Sequence, residues 1–154
     1  MFTYYLKAYD GGKQVEERRQ QFFRLLDVVN PIFQDVAVSD GWELKRNLFR
    51  HPSRELHKRS LSGRTTFIIG LMLEPSWGSE EAAAKFPDEL PYNFGVVVIQ
   101  HGATPREQVS HRVNFVEHGL LSQIVPEMDK WMEKALRFVR EYVEPPEVQQ
   151  GSLG

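Results

Sequence analysis

The chain has 154 residues, a formal net charge of −2 and no cysteine, which suits one domain with one core. The near-zero charge removes any bulk electrostatic case for holding DNA or RNA. The absence of cysteine removes disulfides, thiolate metal sites and Cys nucleophiles together, in keeping with a reducing compartment. No basic region followed by an apolar run opens the chain, and its apolar runs are far too short to cross a bilayer. The expectation is a soluble cytoplasmic protein with no membrane partner.

Residues 2–9 (FTYYLKAY) are rich in aromatics and read as a strand, stopped by Asp10-Gly11-Gly12. Residues 13–30 read as a helix, with Val15, Phe22, Leu25, Leu26 and Val29 apolar and Arg18, Arg19 and Arg24 on the wet side. Pro31 should end or kink it. A brief strand is expected at 33–38, closed by Ser39-Asp40-Gly41.

Residues 42–64 are basic: Lys45, Arg46, Arg50, Arg54, Lys58, Arg59 and Arg64 face only Glu43 and Glu55. Their apolar residues are sparse, so the stretch reads as an exposed connection with a helical turn or two. Residues 65–73 (TTFIIGLML) form a strand apolar on both faces, hence central in its sheet.

Residues 74–91 make a long loop of opposite charge, with Glu74, Glu80, Glu81, Asp88 and Glu89 against Lys85. Ser79 is placed to cap a short helix over 79–85. A second strand covers FGVVVIQ, and a third at 109–116 alternates in part and should form a hairpin with it.

The longest periodic segment is 120–144. Leu121, Ile124, Val125, Met128, Trp131, Met132, Ala135, Phe138, Val139 and Tyr142 recur at steps of three and four, which places them on one helix face. Glu127, Lys130, Lys134, Arg137, Arg140 and Glu141 lie opposite. A stripe this wide and aromatic calls for a sheet beneath it.

The predicted fold is α+β: a mainly antiparallel sheet of about four to six strands with two long helices, 13–30 and 121–143, packed on one face. Residues 1–145 should form a single domain, and 146–154 a disordered tail.

No motif for chemistry stands out. His101, His111 and His118 lack the tight ligand pair a zinc site needs, and no nucleophile elbow or phosphate cradle is present. No metal, cofactor or catalytic residue is therefore expected, and the chain reads as a non-enzyme. Two alternatives stay open: a small-ligand enzyme with a site near His101, His111 and Glu117, and a nucleic-acid-associated module using the basic segment 45–64. The acidic loop sets Trp77 and Phe86 among carboxylates, as in many protein-binding hot spots. The same two rings would equally serve to tuck the loop onto the core. With Trp42, the candidate partner-binding residues are Trp77, Glu80, Glu81, Phe86, Asp88 and Glu89.

The pattern resembles the Immunity protein 52 family, small α+β antidotes encoded beside polymorphic and type VI secreted toxins. The resemblance rests on TYYLKAYDG, on a helix ending in LLDVVNPIF, on Gly41-Trp42, on FIIGLML and NFGVVVIQ, and on the terminal amphipathic helix. It extends to about Pro145, and residues 43–64 and 74–91 depart from it most. It implies a protein that binds a cognate toxin stoichiometrically in the bacterial cytoplasm, the toxin being a nuclease domain, with no direct nucleic-acid contact. On this reading the protein is a monomer or weak dimer, and the acidic loop steers to and occupies a basic nuclease surface.

Overall fold

The computed structural model describes residues 20–21, 24, 26–47, 53–75, 79–85, 89–101 and 109–146. The expected strand at 2–9, most of the helix at 13–30 and the tail from 147 lie outside them.

Gln20, Gln21, Arg24 and Leu26 are helical. A tight 3-10 turn follows at Asp27–Val29, and helix α1 runs over Asn30–Asp40. Pro31 occupies the second position of α1, where its missing N–H costs nothing. Its ring crowds the carbonyl four residues earlier, that of Asp27, where the tight turn begins.

Proline thus marks a break, as expected, but helix resumes beyond it. The strand expected at 33–38 is helical instead. Phe33, Val36 and Ala37 meet the core at helical spacing, while Val38 points to solvent. Gly41 ends α1 at φ 69°, ψ 37°, a left-handed cap that glycine adopts without a Cβ penalty.

Strands β1 (Glu43–Asn47), β2 (Ser53–Arg59), β3 (Thr65–Leu73), β4 (Pro91–Gln100) and β5 (Val109–Leu120) form one sheet. Their order is sequential and every pairing is antiparallel. The α+β class with an antiparallel sheet is as expected, and β3 is central. The exposed connection expected at 42–64 is instead a pair of strands. Leu44, Arg54, Leu56 and Lys58 lie on its inward face, so the partly buried Leu44 and the buried Leu56 share that face with two cations and the period is masked.

Those cations are satisfied by residues far along the chain. Arg54 is fully buried. Its Nε donates to Asn30 Oδ1 at 2.8 Å, a terminal nitrogen donates to Asp27, and the other donates to the Ser53 carbonyl at 3.1 Å. The guanidinium therefore ties β2 to the start of α1. Lys58 donates to the Asp40 carbonyl at 2.6 Å, at the negative end of α1. It also lies 5.6 Å from the Trp42 ring centre.

A short helix α2 (Glu80–Ala84) follows β3. After β5 come α3 (Leu121–Ile124), a 3-10 turn containing Pro126, and α4 (Met128–Glu141). Leu121, Ile124, Met128, Met132 and Ala135 are buried in one cluster with Leu26, Val29 and Phe33. That cluster includes alternate residues of the central strands: Phe67, Ile69, Leu71 and Leu73 of β3, and Tyr92, Phe94, Val96 and Val98 of β4. Trp131 is half-buried and stacks on Phe94 at 6.2 Å between ring centres. The polar side expected for this helix is exposed throughout.

Beyond α4 the chain runs on as a strap over the β2–β3 turn. The Glu144 carboxylate accepts from Thr65 at 2.6 Å, from Ser62 at 2.8 Å and from Ser60 at 3.3 Å, which holds it below the usual carboxylate range. Arg64 donates to the Pro145 carbonyl at 2.8 Å.

Candidate functional site: a glycine-floored trough on the second face of the sheet

The sheet's other face carries Thr66, Ile68, Gly70 and Met72 of β3, all half-buried. Registration across the strands builds one row from Lys45, Glu55, Gly70, Gly95 and Val116. Two glycines thus sit side by side at the middle of the sheet. His57, Ile68 and Val97 form the row on one side; Ser53, Met72 and Asn93 form the row on the other. The result is a trough of about 240 Å³ walled by Glu55, Ile68, Met72, Asn93, Val97 and Val116.

Backbone geometry does not call for Gly70. Its φ is not positive, and its register is regular on both sides. A Cβ built there meets Glu55 Cγ at 3.4 Å and the Arg54 carbonyl at 3.7 Å, ordinary contacts. Gly95 differs: it adjoins the register break between Gly95 and Val97, where β5 carries Val113, Asn114 and Phe115 opposite Val96 alone.

Glu55 is the trough's charged wall, its side chain 20% exposed. His57 Nε2 lies 2.9 Å from one oxygen, and Ser53 Oγ donates to the other at 2.6 Å. The hydrogen bond from His57 is the largest influence holding the carboxyl below its ordinary range; burial opposes it, and Ser53 and Lys45 add to it. The carboxylate stands between hydroxyl and imidazole. A nucleophilic relay needs the imidazole in the middle, so this trio is a fixed acceptor and not an activated serine.

The residues singled out from sequence are dispersed. Glu80, Glu81 and Glu89 are exposed on the β3–β4 loop, whose base is closed by the Glu74 N–H donating to the Pro91 carbonyl at 2.9 Å. Trp77, Phe86 and Asp88 lie outside the described residues. Trp42 is corrected: it is 5% exposed, its Nε1 donates to Asp40 at 2.8 Å, and its ring belongs to the core beneath Lys58. That ring is not available to a partner.

His101 and Glu117 do not meet. His101 shares a 2.6 Å hydrogen bond with Thr66, whereas Glu117 pairs in register with Phe94, roughly 20 Å away along β4. The side chain of His111 lies outside the described residues. His118 approaches Glu74 at 3.4 Å. Among the described residues, no three His, Asp or Glu side chains gather as metal ligands.

The basic segment is divided by strand alternation. Arg54 and Lys58 point to the helix-bearing side and are paired there, while Lys45 and Arg59 point to the trough side. Among the described side chains of the segment, no single phosphate-gripping row results. The trough itself escapes a linear reading because pairing alone brings Gly70, Gly95 and Glu55 together. The signal present was a glycine inside each of two apolar strands, FIIGLML and NFGVVVIQ.

No family model matches the chain, and neither a curated protein nor a solved structure matches it. Among the described residues, no helix is long and apolar enough to cross a membrane.

Proposed function

We propose that this protein acts by binding another protein: an immunity protein that neutralises a cognate secreted toxin, a nuclease of a type VI secretion system, in the bacterial cytoplasm. The observation that carries the reading is the half-exposed apolar trough on a sheet whose other face is filled. Apolar concavities with polar rims mark interaction surfaces. The resemblance of TYYLKAYDG, LLDVVNPIF and the terminal helix to the Immunity protein 52 pattern names the kind of partner.

The loop between β3 and β4 supports the same reading. Glu80, Glu81 and Glu89 are exposed, and carboxylates steer toward the basic surface with which a nuclease holds its substrate. The loop leaves the sheet just beyond Met72 and returns just before Asn93, two walls of the trough.

The test is co-expression with the toxin encoded by the neighbouring gene, scored by growth. Rescue is expected. Reversal of Glu80, Glu81, Asp88 and Glu89 to Lys should weaken association at least about tenfold, with a smaller loss at high salt. Unrelieved toxicity sinks the reading; rescue with undiminished affinity in the charge-reversed variant moves the interface off the loop.

A further inference from the structure

We propose that the trough seats an aromatic side chain with a hydrogen-bond donor on its ring, a tryptophan or tyrosine presented by the partner protein. The proposal rests on the reading of the protein as one that binds another protein, and it names the chemistry of that contact.

The first argument is the floor. Glycine inside a strand weakens it by roughly 0.5–1 kcal/mol relative to alanine. It commonly marks a bulge or a place where another group comes close to the backbone. Gly95 adjoins a register break, but Gly70 does not, and a Cβ would fit there. What Gly70 provides is bare backbone beside Gly95. A flat ring laid over paired glycines fills such a gap, as aromatic side chains do when they cover sheet glycines.

The second argument is the walls. Ile68 and Met72 flank Gly70 along β3, about 13 Å apart at the usual strand rise, with Val97 and Val116 beyond Gly95. That opening suits a ring, and the Met72 thioether suits an aromatic edge. Val116 is 56% exposed, so the wall on the β5 side stands open to an incoming group.

The third argument is charge. Glu55 invites a donor, and a carboxylate with two hydrogen bonds still has acceptor sites free. A lysine or arginine is the obvious candidate, but Glu55 already faces His57 at 2.9 Å and pairs in register with Lys45. An incoming cation would meet the Lys45 ammonium and compete with His57 for the carboxylate. A neutral indole N–H or phenol O–H meets the carboxylate without that repulsion. Tryptophan and tyrosine are also the residues that most often anchor interfaces, having an apolar body and one polar point.

The experiment is a titration of the full-length, nitrogen-15-labelled chain with N-acetyl-tryptophanamide, followed through the backbone amides of Gly70, Gly95 and Val97. Saturable shifts centred on these amides are expected. Binding should be about tenfold weaker for N-acetyl-phenylalaninamide, which lacks the donor, and weaker still for N-acetyl-lysinamide. Glu55→Gln should bring tryptophanamide down to the phenylalaninamide level. Gly70→Leu should abolish the shifts, and Glu55→Gln provides the check if that variant folds poorly.

Silent trough amides overturn the proposal, whether the trough is inert or is already filled by the chain's own first residues or by a second copy. Tighter binding of lysinamide overturns it too. The outcome is separable from growth rescue: a responsive trough without rescue leaves the aromatic site standing and removes the toxin, and rescue with a silent trough does the reverse.

Discussion

Leu71 and Met72 are neighbours on β3 that face opposite sides of the sheet. Leu71 is fully buried in the main cluster; Met72 is half-exposed on the trough wall. The two faces use apolar residues for different ends. On the covered face, the described buried polar side chains are answered: Arg54 by Asp27 and Asn30, Thr65 by Gln100 and Glu144. On the trough face, aliphatic side chains stay half-wetted, and Glu55 and His57 keep about a fifth of their side chains open to water or a partner, with the buried Ser53 bracing Glu55 from below. One face determines whether the chain folds. The other has spare chemistry, and spare chemistry is where binding is to be sought.

The contrast is broken first at Arg54. Arg54→Ala removes a fully buried side chain and the tie from β2 to α1, so urea denaturation should show a loss of about 3–5 kcal/mol. Asp27 is about half-exposed and can rehydrate, which favours the lower end. A loss below about 1 kcal/mol would mean that the tie does not hold α1 in place.

The neighbouring pair sharpens the comparison directly. Leu71→Ala should cost about 2–5 kcal/mol, and Met72→Ala no more than about 1. Equal losses would show that the trough face is as covered as the core. Gly41→Ala comes next, at about 1–2 kcal/mol by thermal or urea unfolding. A Cβ there touches nothing within 4 Å, so the whole cost is conformational.

The smallest effect is Glu55→Gln, read as stability against pH. The folded state holds the Glu55 carboxyl below its ordinary 4.5, so its contribution is fully present above that value and is lost as pH falls through the lower folded value. The variant should lose that small contribution at neutral pH and converge on the parent in acid, which flattens the acid limb. An unaltered acid limb would show that the bonds from His57 and Ser53 do not persist in solution.

How much of this was legible follows from where each residue finds its partners. The strands over 65–73 and 91–100 and the helix stripe from Leu121 to Tyr142 were readable, because burial prints its own period on a local stretch. The strands at 43–47 and 53–59 were not. Arg54 and Lys58 occupy inward positions where the pattern calls for apolar residues, and their counter-groups, Asp27, Asn30 and Asp40, belong to a distant helix. The helix at 30–40 was obscured by β-branched residues and by a proline that reads as a stop but sits in a first turn. Nor was the trough visible, since a row across four strand pairings has no linear signature.

The sequential order of the strands also bears on how the molecule is made. Each strand pairs with the next in the chain, so the longest connection any ladder must close is the one over 74–90. Such a meander has low contact order and is expected to assemble quickly. Polar ties that skip far along the chain join Asp27 and Asn30 to Arg54, and Ser62 and Thr65 to Glu144. They close only when the strands they join already exist. Refolding should therefore show the sheet forming early and the strap closing late, and removing the strap contact with Glu144→Ala should speed unfolding more than it slows refolding.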